Sequence, residues 1–136
     1  MEGFQAYEWE TTLEQDYRKD LVELSQEIAG ALALFEDISK SSDRDYSSLK
    51  EVLRKLQRKH QGFVVPSMYE DADSFLAQAI KSYLRGVDIA TQAVKVKDSQ
   101  QLDRAARQIM EGNNFIHITK NRMWEAVEER QKEAVH

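Results

Sequence analysis

Cysteine is absent from this chain of 136 residues, so disulfides, thiolate metal sites and cysteine nucleophiles are all excluded. Proline occurs once, at Pro66, and glycine five times, which leaves little material for a series of β-turns. No G-x-S-x-G, P-loop or G-x-G-x-x-G sequence is present, so neither a serine elbow nor a phosphate cradle is marked. No run of about 18 apolar residues occurs. The longest weakly polar run, Ile28 to Phe35, stops at Glu36-Asp37. The opening Met1-Glu2-Gly3-Phe4-Gln5 has neither the basic nor the apolar region of a signal peptide. A cytoplasmic location is expected; a surface or exported one is the alternative, should a native leader have been removed.

What is there reads as a folded chain. Hydrophobic residues make up 41% and charged residues 32%, an ordinary globular balance. The length suits one domain over residues 1–136, large enough to fold without a staple. Net charge is −5, which argues against nucleic acid as a partner.

Periodicity sets the class. Leu13, Tyr17, Leu21, Leu24, Ile28, Leu32, Phe35 and Ile38 recur at steps of three and four, drawing one apolar stripe on a helix. That helix is expected to begin between Phe4 and Glu10 and to end near Ser39. Leu49, Val52, Leu53 and Leu56 mark a shorter second helix that fades near His60. Gly62 is expected to take a left-handed C-terminal conformation there, and Pro66 disfavours a helical Val65. Ser67 with Glu70 reads as a capping box for a third helix running to about Val96. Asp98 with Gln101 reads as another for a fourth, which carries Leu102, Ala105, Ile109, Ile116, Met123 and Val127 and frays over Glu128–Lys132.

Four helices with short links predict an all-α, antiparallel up-down-up-down four-helix bundle. The second helix is much shorter than its neighbours, so the segment Gln61–Pro66 is expected as an extended apolar strap along the bundle. Charge supports pairing of the first two helices. Residues 1–37 hold ten acidic and two basic side chains, a balance of −8, and residues 40–60 hold seven basic and three acidic, +4. Arg54, Lys55, Arg58 and Lys59 are read first as a face complementing the first helix, and otherwise as a patch for an acidic partner or nucleic acid, the latter disfavoured by a short run without interleaved aromatics in an acidic chain.

Catalytic chemistry finds little footing. A di-iron bundle uses a Glu-x-x-His step on each of two helices. Of His60, His117 and His136, only His136 has an acidic residue three before it, so no metal site and no cofactor is expected. Glu70, Asp71 and Asp73 fit charges that complement a helix dipole. Asn113, His117 and Asn121 share a face at steps of four, solvated if it looks out and a possible ligand-binding face if it looks in. Gly86 and Gly112 suggest close approach of the third and fourth helices.

The fourth helix is apolar over too wide an arc for one core stripe. Met110, Phe115, Ile118 and Trp124 lie beside or beyond the face of Ile109, Ile116 and Met123, which suggests self-association as a homodimer. Bundle topology also gathers Phe4, Tyr7, Trp9, Phe63, Tyr69 and Trp124 at one end. Such a cluster plugs a core, or forms a pocket or docking surface in which Trp9, Phe63 and Tyr69 would touch a ligand.

Pro66 with Tyr69, then Ala72, Phe75, Ala79 and Tyr83, then Asp98 with Leu102, Ala105 and Ile109 form a recurring pattern. In these residues, the stretch 65–127 resembles the C-terminal half of small, uncharacterised helical-bundle proteins of Gram-positive bacteria, some of them lipoprotein-anchored. The resemblance implies the fold and carries over no catalytic residue; the lipidated cysteine of the anchored members is missing here. The expectation is a non-enzymatic interaction or structural bundle that self-associates, with a protein partner as a further candidate. The alternative is a small-molecule-binding bundle using the aromatic end or the polar face of the last helix.

Overall fold

The first helix starts at a reciprocal cap. The Thr11 hydroxyl accepts from the Glu14 N–H at 3.1 Å, and the Glu14 carboxylate accepts from the Thr11 N–H at 2.9 Å. In the computed structural model, which describes residues 5–135, α1 therefore runs Thr12–Lys40, later than the expected window. It is followed by α2 (Ser47–Gln61), a 3-10 turn (Ser67–Tyr69), α3 (Glu70–Val96) and α4 (Ser99–Val135). Among the described residues no strand occurs.

Three expectations about helix ends need correction. Gly62 keeps right-handed backbone angles (φ −85°, ψ −5°) and donates to the carbonyls of Arg58 and Lys59. The left-handed residue is Lys97 instead (φ 54°, ψ 45°), at the close of α3. The Ser67–Glu70 box does not form: Ser67 opens the 3-10 turn, and neither Pro66 nor Tyr69 supplies a side-chain cap. Asp98 does cap α4, its carboxylate accepting from the Gln100 and Gln101 N–H groups. That helix continues through Glu128–Lys132, where Arg130 bonds Glu14 of α1 and holds the last turns in place.

The apolar stripes meet in one continuous core containing Leu21, Leu24 and Ile28 of α1, Leu49, Leu53 and Leu56 of α2, and Leu76, Ile80 and Val87 of α3. Met123 and Val127 of α4 close it. Each such side chain contributes about 1.5–3 kcal/mol by leaving water. The glycines explain the tightest packing. A Cβ on Gly112 would stand 2.5 Å from the Tyr83 ring, and one on Gly86 would stand 2.8 Å from Ile109. α3 and α4 press together along their length, early residues of one against late residues of the other: Asp71 with Arg122, Phe75 with Phe115, Arg85 with Gln108.

The link after α2 meets the expected strap in part. Phe63 and Val65 pack on the core and Pro66 is buried, but Val64 is 65% exposed. Phe63 stands edge-on to Tyr17, and Tyr69 stacks on the same ring 5.3 Å away. The segment therefore packs on α1 at Tyr17 through Phe63, while Val64 faces outward.

Candidate functional site

Two regions stand out, a polar knot among the aromatic rings at one end and an open seam between α1 and α4. The knot is centred on Asp73, whose Oδ1 accepts from the Tyr17 hydroxyl at 2.7 Å and lies 2.8 Å from His60 Nε2. One carboxylate oxygen thus ties α1, α2 and α3. Burial acts to raise the Asp73 pKa, but hydrogen bonds from His60 and Tyr17 outweigh it and hold the carboxyl below the usual range. Burial, and then the neighbouring Asp73 carboxylate, pushes the Tyr17 hydroxyl up, so it stays a donor.

Residues 5–10 fold back over this end. Glu10 takes a two-pronged grip from Arg18, at 2.7 and 2.9 Å, with side-chain exposures of 0% and 4%. Arg18 also donates to the Gln5 carbonyl and sits over the Tyr7 ring. Tyr7 stacks on Trp9, and Arg130 lies over Trp9 from the far end of α4. Within this packing the Tyr69 hydroxyl and the Trp9 indole N–H are buried without a hydrogen-bond partner in the structure. A cleft of about 600 Å³ opens beside Tyr7 and Trp9, against Gln131 and Ala134 of α4.

The seam is built by omission. α1 and α4 approach each other little, in contrast to α3 and α4. A groove of about 330 Å³ lies between them, floored by Leu21 and Met123 and flanked by Val22, Ala29 and Trp124. Lys120 is the one charged residue lining it. A second groove of about 250 Å³ continues the seam between Phe35 and Leu102. Trp124 is 46% exposed and Met110 62%. Gly30, on the outer side of α1, has open space where a Cβ would be.

The residues singled out from the sequence divide among these regions. Trp9, Phe63 and Tyr69 do share the aromatic end, with Tyr7. Trp124 does not: it stands on the α1–α4 seam, and Phe4 lies outside the described residues. Phe115 turns the other way, stacking on Phe75 of α3 at 6.3 Å, and Ile118 is half-buried three residues further on. Met110 and Trp124 therefore belong to one face of α4, and Phe115 and Ile118 to another. Asn113 is half-buried and accepts from the Tyr83 hydroxyl at 2.9 Å, while His117 and Asn121 are exposed.

Tyr17, His60 and Asp73 escaped the sequence reading as a group. Asp73 was read only as a helix-dipole charge, and Tyr17 only as a member of an apolar stripe. The available signal was Tyr17 itself, because a tyrosine in a core stripe needs an acceptor for its hydroxyl. Among the described residues no three His, Cys, Asp or Glu side chains gather to hold a metal ion, and no helix is long and apolar enough to cross a membrane. Set against known proteins, the chain matches no family model, no curated protein and no solved structure.

Proposed function

We propose that this chain is a non-enzymatic interaction protein, an up-down-up-down antiparallel bundle that pairs with a second copy through its α1–α4 face. The observation that carries the reading is Trp124, 46% exposed beside an apolar groove in which Lys120 is the only charge. Charge depletion with exposed tryptophan and methionine is the composition of an interface centre. Size complementarity favours a second copy as the occupant. Large side chains are exposed on α4 at Met110 and Trp124, and the small Ala29 lines the groove on α1, so each copy offers knobs and a hole to the other. Charge agrees, since acidic residues such as Glu36 and Asp37 border the α1 side while Lys120 borders the α4 side.

The seam from Leu21 to Ser39 is about 27 Å long and two helices, about 20 Å, wide. That footprint lies below the roughly 800 Å² per partner of a standard interface, so a reversible dimer is expected. Native mass spectrometry across a tenfold concentration range tests it. The wild-type chain should shift from monomer to dimer, and Trp124→Lys should stay a folded monomer. A wild-type monomer throughout, or an undiminished Trp124→Lys dimer, overturns the reading.

A second reading has its own support. The unpartnered Trp9 indole N–H, on a residue that lines the cleft of about 600 Å³, suits a small ligand with a hydrogen-bond acceptor and an apolar body. Co-purified extra mass in the same spectrum, lost in Trp9→Phe, would favour it.

A further inference from the structure

Residues 52–61 of α2 and 74–87 of α3 contain six cations, Arg54, Lys55, Arg58, Lys59, Lys81 and Arg85, and no acidic residue, in a chain of net charge −5. Two contacts set these segments side by side. Lys50 pairs with Asp88 at 2.7 Å at one end, and His60 meets Asp73 at 2.8 Å at the other. Arg54 follows Lys50 by one turn on the same face of α2. Arg85 and Lys81 precede Asp88 by about one and two turns on the same face of α3.

The acidic α1 neutralises only the Lys59 edge of this surface, where Glu27, Glu23 and Asp20 act on that ammonium. Lys59 alone crosses to α1, reaching Glu27 at 2.5 Å. Arg58 reaches only Glu51 of its own helix, at 3.9 Å. Arg54, Lys55 and Lys81 have no ion-pair partner among the described residues, and Arg85 meets the neutral amide of Gln108. All six side chains belong to exposed residues.

We propose that the outer face of α2 and α3 is a docking surface for an acidic helical segment of a partner protein. The spacing fits carboxylates on a helix. Arg54 with Arg58, and Lys81 with Arg85, are pairs four residues apart, rising about 6 Å, the pitch at which glutamates four apart on a partner helix would meet them. Size decides against the larger polyanions. A duplex or an anionic bilayer is broad enough to overlap the exposed acidic residues beside the patch, such as Glu51 and Asp88, whereas a short acidic helix covers the cations alone. The cations also lack the interleaved exposed aromatic rings on which single-stranded bases stack. This surface is separate from the α1–α4 seam, and the inference does not depend on self-association.

Fluorescence anisotropy of the full chain with a labelled, glutamate-rich helical peptide tests the proposal, the glutamates being placed four apart. Saturable binding that weakens with salt is expected. Arg54→Glu and Lys81→Glu should each lower affinity about tenfold, whereas Lys132→Glu on α4 should leave it unchanged. Circular dichroism melts confirm that these exposed substitutions leave the fold intact. Absence of peptide binding, equal binding by the charge-reversed variants, or tighter binding of a single-stranded oligonucleotide or phosphatidylserine vesicles at the same residues overturns it.

Discussion

Asp73 shows how much one side chain can carry. Its Oδ1 is the common partner of Tyr17 and His60, so removing the charge loosens three helices at one point. Hydrogen bonds to a charged group contribute about 1.5–3 kcal/mol, and Asp73→Asn is expected to lose stability in that range in denaturant melts near pH 7. The sign of the pH effect follows from the lowered carboxyl. Because the folded form holds Asp73 ionised below the ordinary value, its contribution is complete above about pH 4 and lost as pH falls through the lower folded value. The gap between wild type and variant should close over that acid window; a gap constant down to pH 2 would refute the assignment. Tyr69 and Tyr83 make a contrasting pair. Tyr83 donates to Asn113, whereas the buried Tyr69 hydroxyl has no partner. Tyr83→Phe should cost about 1 kcal/mol, and Tyr69→Phe should cost nothing or stabilise. If a ligand or ordered water engages Tyr69 in solution, Tyr69→Phe will destabilise instead, which gives the aromatic end a direct probe.

At the scale of the element, glycine has opposite meanings in two helices. Gly30 lies on an open face of α1, so Gly30→Ala should follow intrinsic propensity and stabilise by about 0.5–1 kcal/mol. Gly112 lies under the Tyr83 ring, where the added Cβ would be 2.5 Å away. Gly112→Ala should therefore destabilise, by about 1–3 kcal/mol, as overpacked cores do. Thermal melts of the two variants should move in opposite directions. The end of α3 offers a third case. Lys97 is held in the left-handed region, which costs a residue with a side chain about 1–2 kcal/mol relative to glycine's freedom there. Lys97→Gly should raise stability by about 1 kcal/mol; an unchanged or lower melting temperature would show that the lysine side chain compensates.

The whole molecule separates two kinds of surface. In the groove beside Trp124 Lys120 is the one charge, and across the outer face of α2 and α3 one sign prevails. Salt should therefore act on them in opposite ways. Raising ionic strength from about 50 to 500 mM shortens the screening length severalfold. Self-association through the seam should be unchanged or strengthened, because net −5 repulsion between copies is screened; sedimentation at several salt concentrations reads it directly. Dissociation of the dimer by salt would mean that ion pairs, rather than apolar packing, hold the copies together.

Much of this was legible before folding. The steps of three and four through Leu21, Leu24 and Ile28 depend only on the rise and turn of a helix, so the all-α class and its four helices followed from spacing alone. Gly86 and Gly112 likewise announced a close approach, because a helix accepts glycine's cost only where something needs the room. Pairings at long range were not legible. Tyr17 and Asp73 are 56 residues apart, and nothing local tells an aspartate in the first turn of α3 that its partner is in α1 rather than in water. Trp124 could be placed on α4 but not assigned to an end or a seam until the neighbours of α4 were known, and Phe115 moved to the opposite face for the same reason. Local periodicity thus determined the helices and their apolar stripes. The tertiary structure decided which polar groups meet and which faces stay open, because those depend on the rotation and contact of each helix against neighbours far away in the chain.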